Sequence, residues 1–335
     1  MRIAVDVLGG DHAPHEVLLG VVAALKDDFD ASQLVLVGPQ DIITSTLEEH
    51  GLDVPEIMHT NDVVRSGDKP VEAMRRIPEA SVFLCTRALK EGKADGMISF
   101  GNTGAAVAAA TLGLGMLSGV RRPGIAIPIN SANGKSVLLD VGANPSPKAE
   151  HLFQYAAMGT AYMRDIHGIE NPRVGLLNIG GESNKGHGLV QEAHQLLESS
   201  NLNFVGNIEG QDLFSGNAEV QVTDGFVGNM ILKVLEGFIG YLVRGVESAS
   251  QNADSAGAGI AIRDTFRQLV GVADYSEAGG AALLGVNGVV MIGHGRSKAS
   301  AIPPALRAAR VEIEAGLIKD IAAVLGQAST TSKEA

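Results

Sequence analysis

The sequence predicts an α/β protein in which a mostly parallel sheet is covered by helices on both faces, giving three layers. Three observations lead there. Short apolar runs alternate with helical stretches along most of the 335 residues, and the joining loops are short. Glycine supplies 42 residues, nearly twice the usual share of ~7%, while Trp is absent and aromatics are only 4%, so a core of small and aliphatic side chains lets helices lie close to a sheet. Strand after strand ends in Asp or Asn beside Gly, the composition of tight strand-to-helix turns.

The elements follow in order. Arg2–Val7 reads as a strand ending in Gly9-Gly10-Asp11, and Glu16–Leu25 as a helix whose stripe is Val17, Leu18, Val21, Val22 and Leu25. Leu34–Val37 is a strand stopped by Gly38-Pro39, and Ile42–Glu49 is a helix closed by Gly51. Ile57–His59 is a short strand. A polar turn from Arg65 to Pro70 leads to a helix through Arg75 and Arg76, and Val82–Lys90 is the next helix. Met97–Phe100 is a buried strand, Gly101-Asn102-Thr103-Gly104 a turn, and Ala105–Leu117 a helix. That helix is shorter than the ~20 apolar residues of a membrane span, although residues 96–120 carry no charge.

Ile125–Ile127, Val137–Asp140 and Val174–Asn178 are strands, with a helix over His151–Ile166 between the last two. The loop Gly180–Gly186 precedes a helix at Leu189–Leu197, and Phe204-Val205 and Val220–Asp224 are further strands. Gly225–Ser250 reads as one long helix, Gln251–Ala258 as a polar tip and Ile260–Val270 as a return helix. Residues 225–275 are therefore expected to form a helical hairpin arm, for dimerisation, for docking or for packing on its own subunit. Leu283–Val286 and Val289–Ile292 form a hairpin whose Asn287-Gly288 suits a type I′ turn. Pro304–Leu325 is a closing amphipathic helix, and residues 329–335 are a polar, disordered tail. With no repeat and no low-complexity linker, residues 1–335 are expected to form a single unit of two interleaved halves.

A net charge of −12 argues against a nucleic-acid partner and against general adhesion to anionic membrane. Cys85 stands alone in an apolar stretch, so no internal disulfide is possible and a reducing cytoplasm is expected. Met1 opens directly on a strand, which leaves no room for a signal peptide.

Ligands of open parallel sheets bind outside the carboxyl ends of the strands. Five such ends are polar here: Asp6 with Gly9-Gly10-Asp11, Gly101–Gly104, Asp140–Asn144, Asn178 with Gly180-Gly181, and Asp224-Gly225 with Gly228-Asn229. Their recurrence predicts one glycine-walled cleft. Strand, glycine loop and helix start at Gly101-Asn102-Thr103-Gly104 point backbone N–H groups and a helix dipole at an anion, with Asn102 and Thr103 as side-chain donors. An ordinary turn capped by Asn or Thr has the same sequence. Asn144 and Asn178 join this set as polar strand-end groups, as does Asp224; Lys148 and Lys185 are candidate cations, and His294 is a candidate acid/base group on a glycine-flanked loop. There is no Gly-x-x-x-x-Gly-Lys-Ser/Thr loop, no paired-cysteine zinc site, no His-Glu-x-x-His and no Gly-x-Gly-x-x-Gly after the first strand, and no spacing calls for a metal or a cofactor.

The segments Asp6–Pro14, Gly101–Gly104, Asp140–Asn144, Glu150–Leu152, Asn171–Gly180, Asp224–Asn229 and Gly285–Val290 together resemble the PlsX family, in order and near the expected spacing from Met1 to about Gly295. These are bacterial acyl-(acyl-carrier-protein):phosphate acyltransferases. Leu8 stands where the family usually has Met, Ser146-Pro147 where it has Asp-Cys, and the loop Gly181–Lys185 is less acidic than usual. The resemblance implies transfer of a fatty acyl group from an acyl-carrier-protein thioester to inorganic phosphate, giving acyl phosphate for phospholipid synthesis. It also implies a fold like isocitrate and isopropylmalate dehydrogenases and phosphate acetyltransferase. A homodimer is implied too, as is a cytoplasmic location with peripheral contact to the membrane or a membrane acyltransferase.

On that reading phosphate sits on Gly101–Gly104 with a lysine and attacks the thioester carbonyl. Asn229 and the backbone of Gly225–Gly228 serve the carbonyl oxygen, and His294 or Lys185 protonates the leaving thiolate. Docking of the acidic carrier needs a local basic patch, drawn from Arg75, Arg76, Arg87, Lys90 and Lys93 or from Arg121 and Arg122. Two rivals remain: a metal- and NAD-dependent decarboxylating dehydrogenase of the same fold, separable by NAD binding, and a non-catalytic phosphate-ester binding protein, separable by thiol release.

Overall fold

A computed structural model of the chain describes residues 1–65, 67–251 and 279–328. The return helix and tip expected between Gln251 and residue 275 and the tail at 329–335 lie outside the described residues, apart from Gln251 itself. The described strands are β1 (Ile3–Asp6), β2 (Leu34–Gly38), β3 (Glu56–His59), β4 (Gly96–Ser99), β5 (Gly124–Ser131), β6 (Gly134–Leu139), β7 (Val174–Leu177), β8 (Phe204–Ile208), β9 (Val220–Val222), β10 (Ala281–Leu284) and β11 (Val289–Ile292). All join one sheet, in the order β3-β2-β1-β4-β11-β10-β5-β6-β9-β7-β8.

The sheet has two wings that run in opposite directions. β1 to β4 and β11 are mutually parallel, and so are β6, β9, β7 and β8. Between them β10 and β5 pair antiparallel with each other and with β11 and β6. β5 is the strand both wings share. Its start, Gly124–Ala126, pairs with β10, while Ala126–Ser131 pairs with β6. The wings therefore overlap by about one rung. Ser99 faces Ile292, which faces Ala281, while one rung away Ala126 faces Leu139, which faces Val222. The carboxyl ends of the two wings point at each other across this step.

Helices cover both faces, because each strand alternates its side chains between them. Ile3, Val5, Leu34 and Leu36 pack in one core, while Ala4, Val35 and Val37 pack in the other. The first core is closed by α1 (His15–Asp27), α2 (Gln40–Glu49), α6 (Ala149–His167) and α7 (Gly188–Glu198), with α9 (Ile302–Ala315) and α10 (Leu317–Ala328) from the chain's end. Into the second pack α3 (Pro70–Arg76), α4 (Ser81–Lys90), α5 (Thr103–Ala109, continued by a π-helical turn at Ala110–Leu114) and, through Leu232, α8 (Gly225–Gln251).

Three local expectations are corrected. β5 and β6 are a hairpin with the two-residue loop Ala132-Asn133, closed by Ser131 facing Gly134, which takes a φ of +121°. The loop at Asn287-Gly288 is not a two-residue type I′ turn. Val286 bridges to Met116, and Asn287 donates its side-chain amide to the carbonyls of Leu114 and Met116, so four residues separate the strands. The closing helix is two helices, since Gly316 adopts a left-handed φ of +71° and caps α9.

Glu312 of α9 is fully buried near Tyr162, and burial pushes its carboxyl up to about 8. Because the folded value lies above the unfolded one, the stabilisation present below pH ~4.5 is lost as pH climbs towards 8, by up to ~5 kcal/mol. Glu312→Gln is expected to match the wild type near pH 4.5 and to melt higher at pH 8. Parallel melting curves for the two proteins across that range would refute the assignment.

Candidate active site

The loops that leave the facing strand ends enclose a cleft of about 670 Å3 on the α5/α8 side of the step. Ile125, Ile127, Ala281, Ile292, Val107 and Leu232 give it an apolar lining. One end is polar. Thr103 and Gly104 start α5 there, Val141–Asn144 follow β6, Asn229 and Lys233 stand one turn apart on α8, and Gly293-His294-Gly295 follow β11. Arg122 also lines the cleft. A smaller cavity of about 290 Å3 adjoins across Gly295, lined by Gly101, Asn102, Asp11 and Arg65 among others.

The polar loops are held by buried carboxylates. Asp6 accepts the Ser99 hydroxyl at 2.6 Å, and Ser99 Oγ accepts the Gly101 N–H at 3.3 Å, which ties the first strand to the Gly101–Gly104 turn. Burial pushes the Asp6 carboxyl up. Asp140 gathers four backbone N–H groups, from Ile125, Gly142, Ala143 and Asn144, at 2.8–3.0 Å. Its burial raises the pKa while those donors hold it down. Asp224 Oδ1 accepts from Phe226 and Val227 and so caps α8.

Asn102 caps α5 through Oδ1, which accepts the Ala105 N–H at 3.0 Å, while its Nδ2 donates to the Arg65 carbonyl. Thr103 and Gly104 are the first residues of α5, so their N–H groups have no intrahelical acceptor and the helix's positive end faces the cleft. Asn144 lines the cleft, but its amide nitrogen donates to the Pro123 carbonyl at 2.5 Å and to the Tyr155 oxygen at 2.7 Å. His294 accepts the Arg296 N–H on Nδ1 at 3.2 Å, which assigns the neutral ring's proton to Nε2. Burial and then the Lys233 charge hold His294 below the usual imidazole range, against the pull of Glu236.

The structure thus brings Thr103, Gly104, Asn144, Asn229 and His294 to one cleft, with Gly101 and Asn102 in the adjoining cavity. The other four candidates do not line it. Asn178 donates to the Lys185 carbonyl, and Lys185 pairs with Glu182 at 3.9 Å in a loop after β7. β7 is three strands from β5, or ~14 Å at the usual inter-strand spacing. Lys148 is the N-cap of α6, and Asp224 is occupied with capping α8. Sequence reasoning missed Lys233. The signal was its place four residues after Asn229, on the same helix face. Among the described residues no group of three His, Cys, Asp or Glu side chains is placed to hold a metal ion.

The profile of the family described as "Fatty acid synthesis protein" matches residues 1–320. The chain belongs to this family. A phosphate acyltransferase of Desulfitobacterium hafniense is 43% identical over 326 residues, covering 96% of each chain. One from Desulforudis audaxviator is 41% identical over 335 residues, covering 100% of this chain and 99% of its own. Among solved structures, a phosphotransacetylase from Streptococcus pyogenes aligns with a TM-score of 0.60 at 19% identity, over 95% of this chain and 94% of its own. A 4-hydroxythreonine-4-phosphate dehydrogenase from Klebsiella pneumoniae gives 0.51 at 11%, over 97% and 99%. These likenesses show a mixed α/β fold with a large central sheet, which the family member described here shares.

Proposed function

We propose that the chain transfers a fatty acyl group from an acyl-carrier-protein thioester to inorganic phosphate, forming acyl phosphate for phospholipid synthesis. The observation that favours this is a single cleft lined both by apolar side chains and by groups able to donate to an anion. The acyl chain lies along Ile125, Ile127, Val107 and Leu232, and phosphate sits at the start of α5 beside His294. Phosphate oxygen attacks the thioester carbonyl, the C–O bond forms, and the C–S bond breaks with its electron pair on sulfur. The proton of the attacking phosphate ends on that sulfur. Neutral His294 holds a phosphate oxygen through its Nε2–H while that proton passes from phosphate to sulfur. Asn229 donates to the carbonyl oxygen as it turns negative. The lysine role expected of Lys185 or Lys148 is not placed on either, since neither lines the cleft.

The neighbouring Arg122 and Arg121 favour this mouth of the cleft as the carrier's docking side. The fold likeness to isocitrate and isopropylmalate dehydrogenases belongs to the same proposal, as do a homodimer and a cytoplasmic enzyme with peripheral membrane contact. Phe226, Met230, Val234 and Phe238 form an exposed apolar stripe on α8 that suits a second copy. Gly225–Val246 has a mean hydropathy of 1.5 and, by length and composition, would also pass for a membrane span.

Purified protein given acyl-carrier thioester is expected to release free thiol only when phosphate is added. Release at an equal rate without phosphate, or no release with it, would sink the reading.

A further inference from the structure

We propose that Lys233 is a phosphate-binding residue of this cleft, its ammonium set in place by Glu236 and presented with the imidazole of His294 to one oxygen of the bound anion. The inference rests on the acyl-to-phosphate reading above and names the cation that meets the phosphate, a role left open there.

An i,i+3 lysine–glutamate pair on a helix surface is ordinarily a solvated pair of small consequence. This one differs in what surrounds it. Lys233 Nζ stands 3.0 Å from both oxygens of Glu236, and it also lies 3.4 Å from Nε2 of His294, a residue 61 positions away on the loop after β11. Glu236 reaches Arg296 of that same loop at 3.6 Å and His294 at 3.9 Å, so the carboxylate spans the gap between α8 and the loop. Lys233 and His294 both line the cleft.

The proton count then points to the ligand. Nδ1 of His294 already accepts the Arg296 N–H, so the neutral ring carries its proton on Nε2. An ammonium has donors only. Two donors therefore converge at 3.4 Å, and the group that satisfies both is an acceptor lying against the pair from the cleft side. A phosphate oxygen does this and brings the negative charge the lysine lacks in that direction. A carboxylate-bearing ligand would do the same, and the experiment distinguishes the two. Glu236 is a positioning residue here, because it fixes the ammonium without being the group that meets the ligand.

The test has two independent arms. In steady-state kinetics Lys233→Gln should raise the KM for phosphate by about 10- to 100-fold, the loss expected when a charged partner of an anion is removed, while the KM for acyl thioester stays put. Lys233→Arg should restore much of the phosphate affinity. Lys233, Glu236, Arg296 and Asp11 all bear on His294, and the lysine charge holds its pKa down, so the acid limb of the pH profile should move upward in Lys233→Gln.

The second arm needs no variant. Acetylation of Lys233 by acetic anhydride, followed by mass spectrometry of the wild type, should slow with saturating phosphate and stay unchanged with acetate at equal ionic strength. An unchanged phosphate KM, or an acetylation rate indifferent to phosphate, overturns the assignment. Protection by acetate as strong as by phosphate overturns the ligand. If the wild type protects Lys233 with phosphate yet releases no thiol, the acyl-transfer reading fails while the site stands.

Discussion

Asn229→Ala is expected to lower turnover by ~100-fold or more while leaving the fold and the affinity for phosphate close to those of the wild type. The residue sits in the second turn of α8, exposed to the cleft, and its side chain forms no hydrogen bond within the described residues. Its side chain lies against the Gly142 backbone, where a Cβ on that glycine would stand 3.7 Å away. A carboxamide held this way, with nothing to donate to until substrate arrives, suits a group whose worth appears only as the carbonyl oxygen gains charge. Asn229→Asp keeps the shape and removes the donors, so it should be at least as damaging. Single-turnover rates decide the matter: two variants within a few-fold of wild type would mean the oxygen is stabilised elsewhere.

Gly228→Ala should have the larger effect on the molecule as a whole, with a loss of ~3 kcal/mol or more of stability and of nearly all activity. A Cβ at this position would overlap the carbonyl oxygen of Asp140 and lie 2.9 Å from its carbonyl carbon and 3.0 Å from Val141 Cα. Those are backbone atoms, and four N–H groups anchor their loop to the Asp140 carboxylate. Neither side can yield without moving α8, which carries Asn229 and Lys233. Gly237→Ala in the same helix has open space around it, so it serves as the control and should stabilise by about 0.5–1 kcal/mol. Thermal melts of the pair test the claim, and equal melting temperatures would contradict it.

Much of the architecture was legible because local signals and the fold agree. Apolar runs became strands, and Gly punctuated them. The convergence of Thr103, Asn144, Asn229 and His294 could also be inferred, since each follows a strand end. What a linear reading could not supply is strand order. Asn178 follows a strand end just as Asn144 does, yet β7 lies toward the outer edge of its wing and β6 at the step. Nothing local to either residue encodes that difference, which is set by which strands pair. Lys233 was passed over for the opposite reason: a lysine inside a long helix looks like surface charge until His294 is placed beside it.

The central step in the sheet has a consequence for how the chain is made. β4 has β11 as its neighbour and β5 has β10, so the two wings are joined through strands near the end of the polypeptide. A chain halted before Ala281 lacks β11 of the first wing, the β10 that joins that wing to β5, and His294. Loop-closure entropy for contacts so distant in sequence is paid last. Catalytic competence should therefore arrive only once β10, β11 and the His294 loop have joined the sheet, which makes activity a stricter reporter of finished folding than any spectroscopic signal from the strands made before them.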